Sequence, residues 1–262
     1  MQLFTTCFLA LYLAHLLTDF VLQSDRMVAQ KKAGAVPAYA RHGGIHALAC
    51  TLIMWLALPD VASRSIFYAI MAGLTLAHLA IDGAKSQLVR SGGIDDDAKA
   101  LLCDQLLHLL TVGAASWLLA ATPLLDLISR VRAYQSQMEK LLLLLVVYVG
   151  IIFGGGYVVR FLTKALGQGA LCASDVTRDE LQNAGMYIGW LERFLVLTAL
   201  LLQSPATVGL IFTAKSIARY PELKSVRFAE YFLIGTLLSV SIGIIGGLIL
   251  LRAFYGSVVL AR

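Results

Sequence analysis

The stretch LFTTCFLALYLAHLLTDF, Leu3–Phe20, sets one histidine and one aspartate into an otherwise apolar run, and half of it returns 63 residues later. LYLAHLLTD (Leu11–Asp19) is matched by LTLAHLAID (Leu74–Asp82), and both read LxLAHLxxD. About 27 residues after each histidine comes a second polar pair at the same spacing, His42 with His46 after the first copy and Asp104 with His108 after the second. The repeating unit is a helical hairpin used twice. Because each copy crosses a bilayer two times, both keep one orientation and are expected to be related by an approximate twofold axis along the membrane normal.

The surrounding composition carries the same message. Of 262 residues, 59% are hydrophobic and only 14% are charged, and the mean hydropathy is +0.79, far from the balance of a soluble domain. Apolar runs recur at roughly 3 to 22, 43 to 58, 66 to 82, 100 to 121, 141 to 161, 187 to 203, 205 to 219 and 229 to 254, with lengths close to the need of about 20 residues per membrane helix. No segment alternates as an outer-membrane barrel strand does. The expected fold is all-α, a polytopic transmembrane helical bundle of about eight spans. Its first half, 1–121, is built of hairpins 1–58 and 66–121; a connecting loop follows at 122–140, and a C-terminal transmembrane half at 141–262. Leu3–Leu22 has neither a basic stretch before it nor a small-residue cleavage pattern after it, so it is read as a retained span. Cys7, Cys50, Cys103 and Cys172 are scattered and suggest neither disulfides nor a thiolate site.

The net charge of +5 follows from the ordinary bias of Lys and Arg toward cytoplasmic loops, and it does not argue for nucleic acid. The loop from Gln23 to Arg41 holds Arg26, Lys31, Lys32 and Arg41 against one acid, Asp25, whereas Asp60 and Arg64 balance in the loop after the second span. The first loop is therefore expected in the cytoplasm and the N-terminus outside.

All five histidines, His15, His42, His46, His78 and His108, lie in the first 108 residues, and each belongs to a pair spaced by four. That spacing puts both side chains on one helix face. Pairs His15/Asp19 and His78/Asp82 lie toward the C-terminal ends of their helices, while His42/His46 and Asp104/His108 lie toward the N-terminal ends. In an up-and-down bundle these ends share one side, just inside the headgroups. Imidazoles and carboxylates together are ligands for a divalent metal, zinc first, with manganese or iron as alternatives. The candidate ligands are His15, Asp19, His42, His46, His78, Asp82, Asp104 and His108, around one ion or two. Asp19, Asp82 and Asp104 are also candidates for the general base, and Arg41 and Lys85 for holding an anionic group of the substrate. Packing by hydrogen bonds between helices is the competing account of any single pair. Gln23, Asp25, Gln87 and Gln105 lie on the same side, and Asp95, Asp96 and Asp97 read as a solvated cap for the fourth span. In the second half, Glu192, Arg193, Lys215, Arg219 and Glu230 read as an interhelical ion-pair network, and the Gly150 to Gly156 region as close helix contact.

HLLTDFVLQ (His15–Gln23), RHGGIHALA (Arg41–Ala49), HLAIDGAK (His78–Lys85) and DQLLHLL (Asp104–Leu110) resemble a bacterial membrane family catalogued as domain of unknown function 3307. YIGWLERFLVLTALLL (Tyr187–Leu202), AKSIARY (Ala214–Tyr220) and AEYFLIGTLLS (Ala229–Ser239) are similar to it too. The resemblance implies a multi-pass protein of the bacterial inner membrane and brings no activity. Arg41, His42, His46, His78 and Asp82 are also similar to the motif of bacterial membrane-bound metal-dependent hydrolases, from which this chain departs in its short gap between His42 and His46. That resemblance implies metal-dependent hydrolysis, for which a phosphoester or an acyl bond of a lipid-like substrate is the expected target. A metal-activated water is the economical nucleophile, since no serine sits in a recognisable elbow. Transport of a divalent cation or protons, and a non-catalytic anchor or sensor subunit, are the alternatives the residues leave open.

Overall fold

The computed structural model describes residues 2–120, 137–170 and 184–256. Most of the loop expected at 122–140, and Cys172, fall outside these residues. Among the described residues every regular element is helical, as the apolar runs require. The helices are α1 (Gln2–Phe20), α2 (Asp25–Lys32), α3 (Val36–Ala57), α4 (Pro59–Ala62), α5 (Ser65–Arg90), α6 (Ala98–Ala120), α7 (Gln137–Val149), a π-helical turn at Gly150–Gly154, α8 (Gly155–Ala170), α9 (Ala184–Leu201), α10 (Ala206–Ala218), a 3-10 turn at Glu222–Lys224, and α11 (Val226–Tyr255).

Six stretches among the described residues are long and apolar enough to cross a membrane: Leu3–Phe20, Ser65–Arg90, Ala98–Ala120, Gln137–Thr163, Ala184–Leu201 and Val226–Tyr255. The chain is a multi-pass membrane protein. Two of the eight expected spans form helices without meeting that measure. Helix α3 has 22 residues, but Arg41, His42 and His46 lower its hydropathy. Helix α10 has 13 residues, about 20 Å at 1.5 Å per residue, against a hydrocarbon core of about 30 Å.

Contacts divide the chain into two compact units, Met1–Val149 and Gly150–Arg262. In the first, α1 packs on α3, α6 and α7, and α5 packs on α3 and α6. The four helices of the duplicated hairpins thus close a ring in the order α1, α3, α5, α6. The short helix α2 lies against α3 and α5. Its start is fixed by Ser24, whose Oγ accepts from the Met27 amide (3.3 Å), and Asp25 at its first turn and Lys31 and Lys32 at its last complement the helix dipole. The acidic run before α6 behaves as expected, with Asp97 Oδ1 accepting from the Ala100 amide (2.9 Å). Lys32 reaches across to Asp96 (2.5 Å).

In the second unit α11 packs on α9 and α8, and α10 packs on α9. Of the expected interhelical ion-pair network, the pair of Lys215 and Glu192 forms (2.6 Å), whereas Arg219 pairs locally with Glu222 (3.2 Å) and Glu230 is exposed. Arg193 departs from it. Its guanidinium is buried and donates through Nε and Nη2 to the Ile152 carbonyl (3.0 and 2.8 Å) and through Nη1 to Ser239 Oγ (3.0 Å). The carbonyl it satisfies belongs to the π-helical turn, where the regular ladder is interrupted. Gly156 makes room for it, since a Cβ there would lie 2.9 Å from Arg193 Nη2.

Candidate metal centre

The four paired segments meet inside the first unit. His15 and Asp19 come from α1, His42 and His46 from α3, His78 and Asp82 from α5, and Asp104 and His108 from α6, and all eight side chains are buried. Spacing by four on each helix turns both members of a pair toward the ring interior. The ring closure of α1, α3, α5 and α6 then brings the pairs face to face.

One group is Asp19, His42 and His78. His42 Nε2 lies 2.8 Å from His78 Nε2, and Asp19 Oδ1 lies 3.4 Å from each. Asp82 Oδ2 adds a fourth corner, 3.2 Å from His42 Nε2 and 3.9 Å from His78 Nε2. A second group is Asp19, Asp82 and His108, in which His108 Nε2 stands 3.6 Å from Asp82 Oδ1 and 3.6 Å from Asp104 Oδ1. A third is His15, His78 and His108, with the Nδ1 atoms of His78 and His108 3.2 Å apart. His15 Nε2 also faces Gln105 Oε1 (3.2 Å), so Gln105 extends the cluster.

These separations have a physical meaning. With ligand bonds of about 2.0–2.2 Å, neighbouring ligand atoms of a four- to six-coordinate ion lie about 2.8–3.6 Å apart. Most of the distances above fall in that range. Asp19 Oδ1, Asp104 Oδ1 and His108 Nε2 are buried without a hydrogen-bond partner, and such groups are costly in an apolar surrounding unless something binds them. The donor set is imidazole and carboxylate, which suits a divalent ion. The buried His/Asp groups can therefore hold a metal ion.

Two candidates stand elsewhere. His46 belongs to none of the three groups: its ring stacks on His78 at 4.1 Å between centroids, and Nδ1 faces Thr75 Oγ1 at 3.2 Å. Arg41 is exposed on α3. Lys85 comes to the site, donating to Asp104 Oδ2 (3.0 Å). A residue that the pairing pattern did not single out joins it. Lys31, on α2, is buried and donates to Asp82 Oδ2 (2.6 Å). Its only sequence signal is the spacing by four from Met27, the other buried residue of α2. Each lysine thus holds one oxygen of an aspartate whose other oxygen faces His108, as outer partners of metal ligands do.

A family model described as a protein of unknown function, DUF3307, matches residues 7–148. The match takes in all four paired segments and stops short of the similar segments after Tyr187. No curated protein and no solved structure matches. Since the matched residues make up more than half of the 262, the chain belongs to the DUF3307 family.

Proposed function

We propose that this DUF3307 protein is a metal-dependent hydrolase of the bacterial inner membrane, acting at the cytoplasmic face on a lipid-like or phosphoester substrate. The observation that carries the reading is the set of buried ligand atoms without hydrogen bonds, Asp19 Oδ1, Asp104 Oδ1 and His108 Nε2, inside a ring of four helices. Ionisable groups inside a membrane protein are expensive and mostly serve function. The basic loop from Gln23 to Arg41 supports a cytoplasmic position.

Asp19, His42, His78 and Asp82 are the first-choice ligands, with zinc the expected ion and manganese or iron as alternatives. A divalent ion there would activate a water and polarise the oxygen under attack. Asp104 is a further ligand or the general base. It is held on one oxygen by Lys85, and the other is without a hydrogen bond. Lys85, whose side chain is 26% exposed, has ammonium donors beyond the one given to Asp104 and can take an anionic substrate oxygen. Arg41, exposed next to His42, suits the recruitment of an anionic headgroup.

The test is made on full-length protein in lipid nanodiscs. Wild type should retain zinc or manganese through desalting and hydrolyse a chromogenic phosphoester, and His78→Ala should lose both. Equal ion content in the two proteins would sink the metal reading. Ion retention with uptake into sealed vesicles and no hydrolysis would favour transport instead.

A further inference from the structure

We propose that the centre takes two divalent ions bridged by the Asp82 carboxylate, and that the loaded pair binds a phosphate group. The inference rests on the metal reading above and goes beyond it in ion count and substrate class.

The two oxygens of Asp82 face different imidazoles. Oδ2 lies with His42 and His78 (3.2 and 3.9 Å), and Oδ1 lies with His108 (3.6 Å). On the first side the remaining corner is Asp19 Oδ1, 3.4 Å from both imidazoles. On the second, Asp19 completes the group with Asp82 and His108, and Asp104 Oδ1 stands 3.6 Å from His108 Nε2. Two ligand clusters therefore meet at the two oxygens of Asp82, with Asp19 bordering both, and a shared carboxylate is how two-ion hydrolytic centres hold their metals close together. A single ion among Asp19, His42, His78 and Asp82 would leave Asp104 Oδ1 and His108 Nε2, both buried and 3.6 Å apart, still without a hydrogen bond. A second ion satisfies both.

Charge then selects the substrate. Asp19, Asp82 and Asp104 bring three negative charges, and Lys31 and Lys85, paired with two of them, bring two positive ones. With neutral imidazoles the site carries one net negative charge, and two divalent ions turn this into three net positive charges. In a surrounding of low dielectric that excess requires anions. A phosphate dianion supplies two charges and oxygens that can contact both ions, whereas a neutral acyl ester supplies none. The structure thus favours phosphoester over acyl chemistry.

The experiment loads full-length protein in nanodiscs with manganese, with and without millimolar inorganic phosphate, then counts metal per chain after desalting and records the electron paramagnetic resonance spectrum. The expected result is two ions per chain in phosphate with an exchange-coupled spectrum, and at least tenfold weaker retention of the second ion without phosphate. Asp104→Asn should keep one ion and show the six-line signal of isolated manganese. One ion per chain in wild type with phosphate would overturn the two-ion centre while leaving the metal reading intact. Two ions without coupling would overturn the Asp82 bridge, and retention unchanged by phosphate would overturn the substrate class. No retained manganese, zinc or iron under any condition would overturn both this inference and the metal reading.

Discussion

A lysine ammonium buried among apolar helices has to find an anion, and Lys31 finds Asp82 at 2.6 Å. Removing one partner of a buried pair leaves the other uncompensated, typically at a cost of about 3–5 kcal/mol. Lys31→Met is accordingly expected to lower the thermal midpoint of the metal-free protein, and added zinc or manganese should restore much of it. A midpoint insensitive to the substitution would place Lys31 outside the site. His78 and His46 make a second contrast. His78 stands in two of the three groups, while His46 stacks on it, faces Thr75 and touches Cys50 Sγ. His78→Ala is expected to abolish ion retention. His46→Ala should weaken it by about 10- to 100-fold, as for a partner that orients a ligand, and a metal titration of the two variants checks this. At this scale the histidine and aspartate pairs were legible because ionisable residues are rare inside apolar helices, and spacing by four gives each pair one shared face. Lys31 was not, because it sits among loop charges that the cytoplasmic bias already accounts for. Only the packing of α2 against α5 distinguishes it from Lys32, which remains at the surface.

At the scale of the element, helix positions followed from apolar runs, while departures from regularity did not. The π-helical turn at Gly150–Gly154 exists together with the Arg193 guanidinium that satisfies Ile152, and that partner lies 41 residues away in sequence. The glycine run near Gly154 advertised close packing, yet the tightest approach of α9 and α11 is made by the less conspicuous Gly247. A Cβ on Gly247 would lie 2.9 Å from Leu200 Cβ and closer still to its Cδ1, whereas one on Gly209, in α10, would meet nothing within 4 Å. Gly247→Ala should destabilise the second unit by about 1–3 kcal/mol through overpacking. Gly209→Ala should be neutral or stabilising by up to about 1 kcal/mol, since alanine is the better helix former. Denaturation followed in detergent distinguishes the two.

For the molecule as a whole, the all-helical membrane class was legible from composition alone. That the paired residues would converge was legible from the positions they take along their helices. The ligand groups were not, because they depend on the rotation of each helix in the ring. All eight paired residues lie in the unit Met1–Val149. Metal should therefore slow amide hydrogen exchange in α1, α3, α5 and α6, and leave α9 and α11 nearly unchanged. At a free ion concentration 1,000 times the dissociation constant the protection amounts to about 4 kcal/mol. Equal protection in both units would contradict a centre confined to the first.

The ring of α1, α3, α5 and α6 also bears on descent. Neither hairpin encloses the centre alone, so an ancestor with one hairpin would have had to pair with a second copy of itself, each offering the same four polar side chains. Joining the copies in one chain frees them to diverge. Three of the four matched positions are still alike, His15 with His78, Asp19 with Asp82 and His46 with His108, and one is not, His42 against Asp104. That single exchange makes one side of the centre richer in imidazole and the other in carboxylate, an inequality that two identical hairpins facing each other could never have acquired.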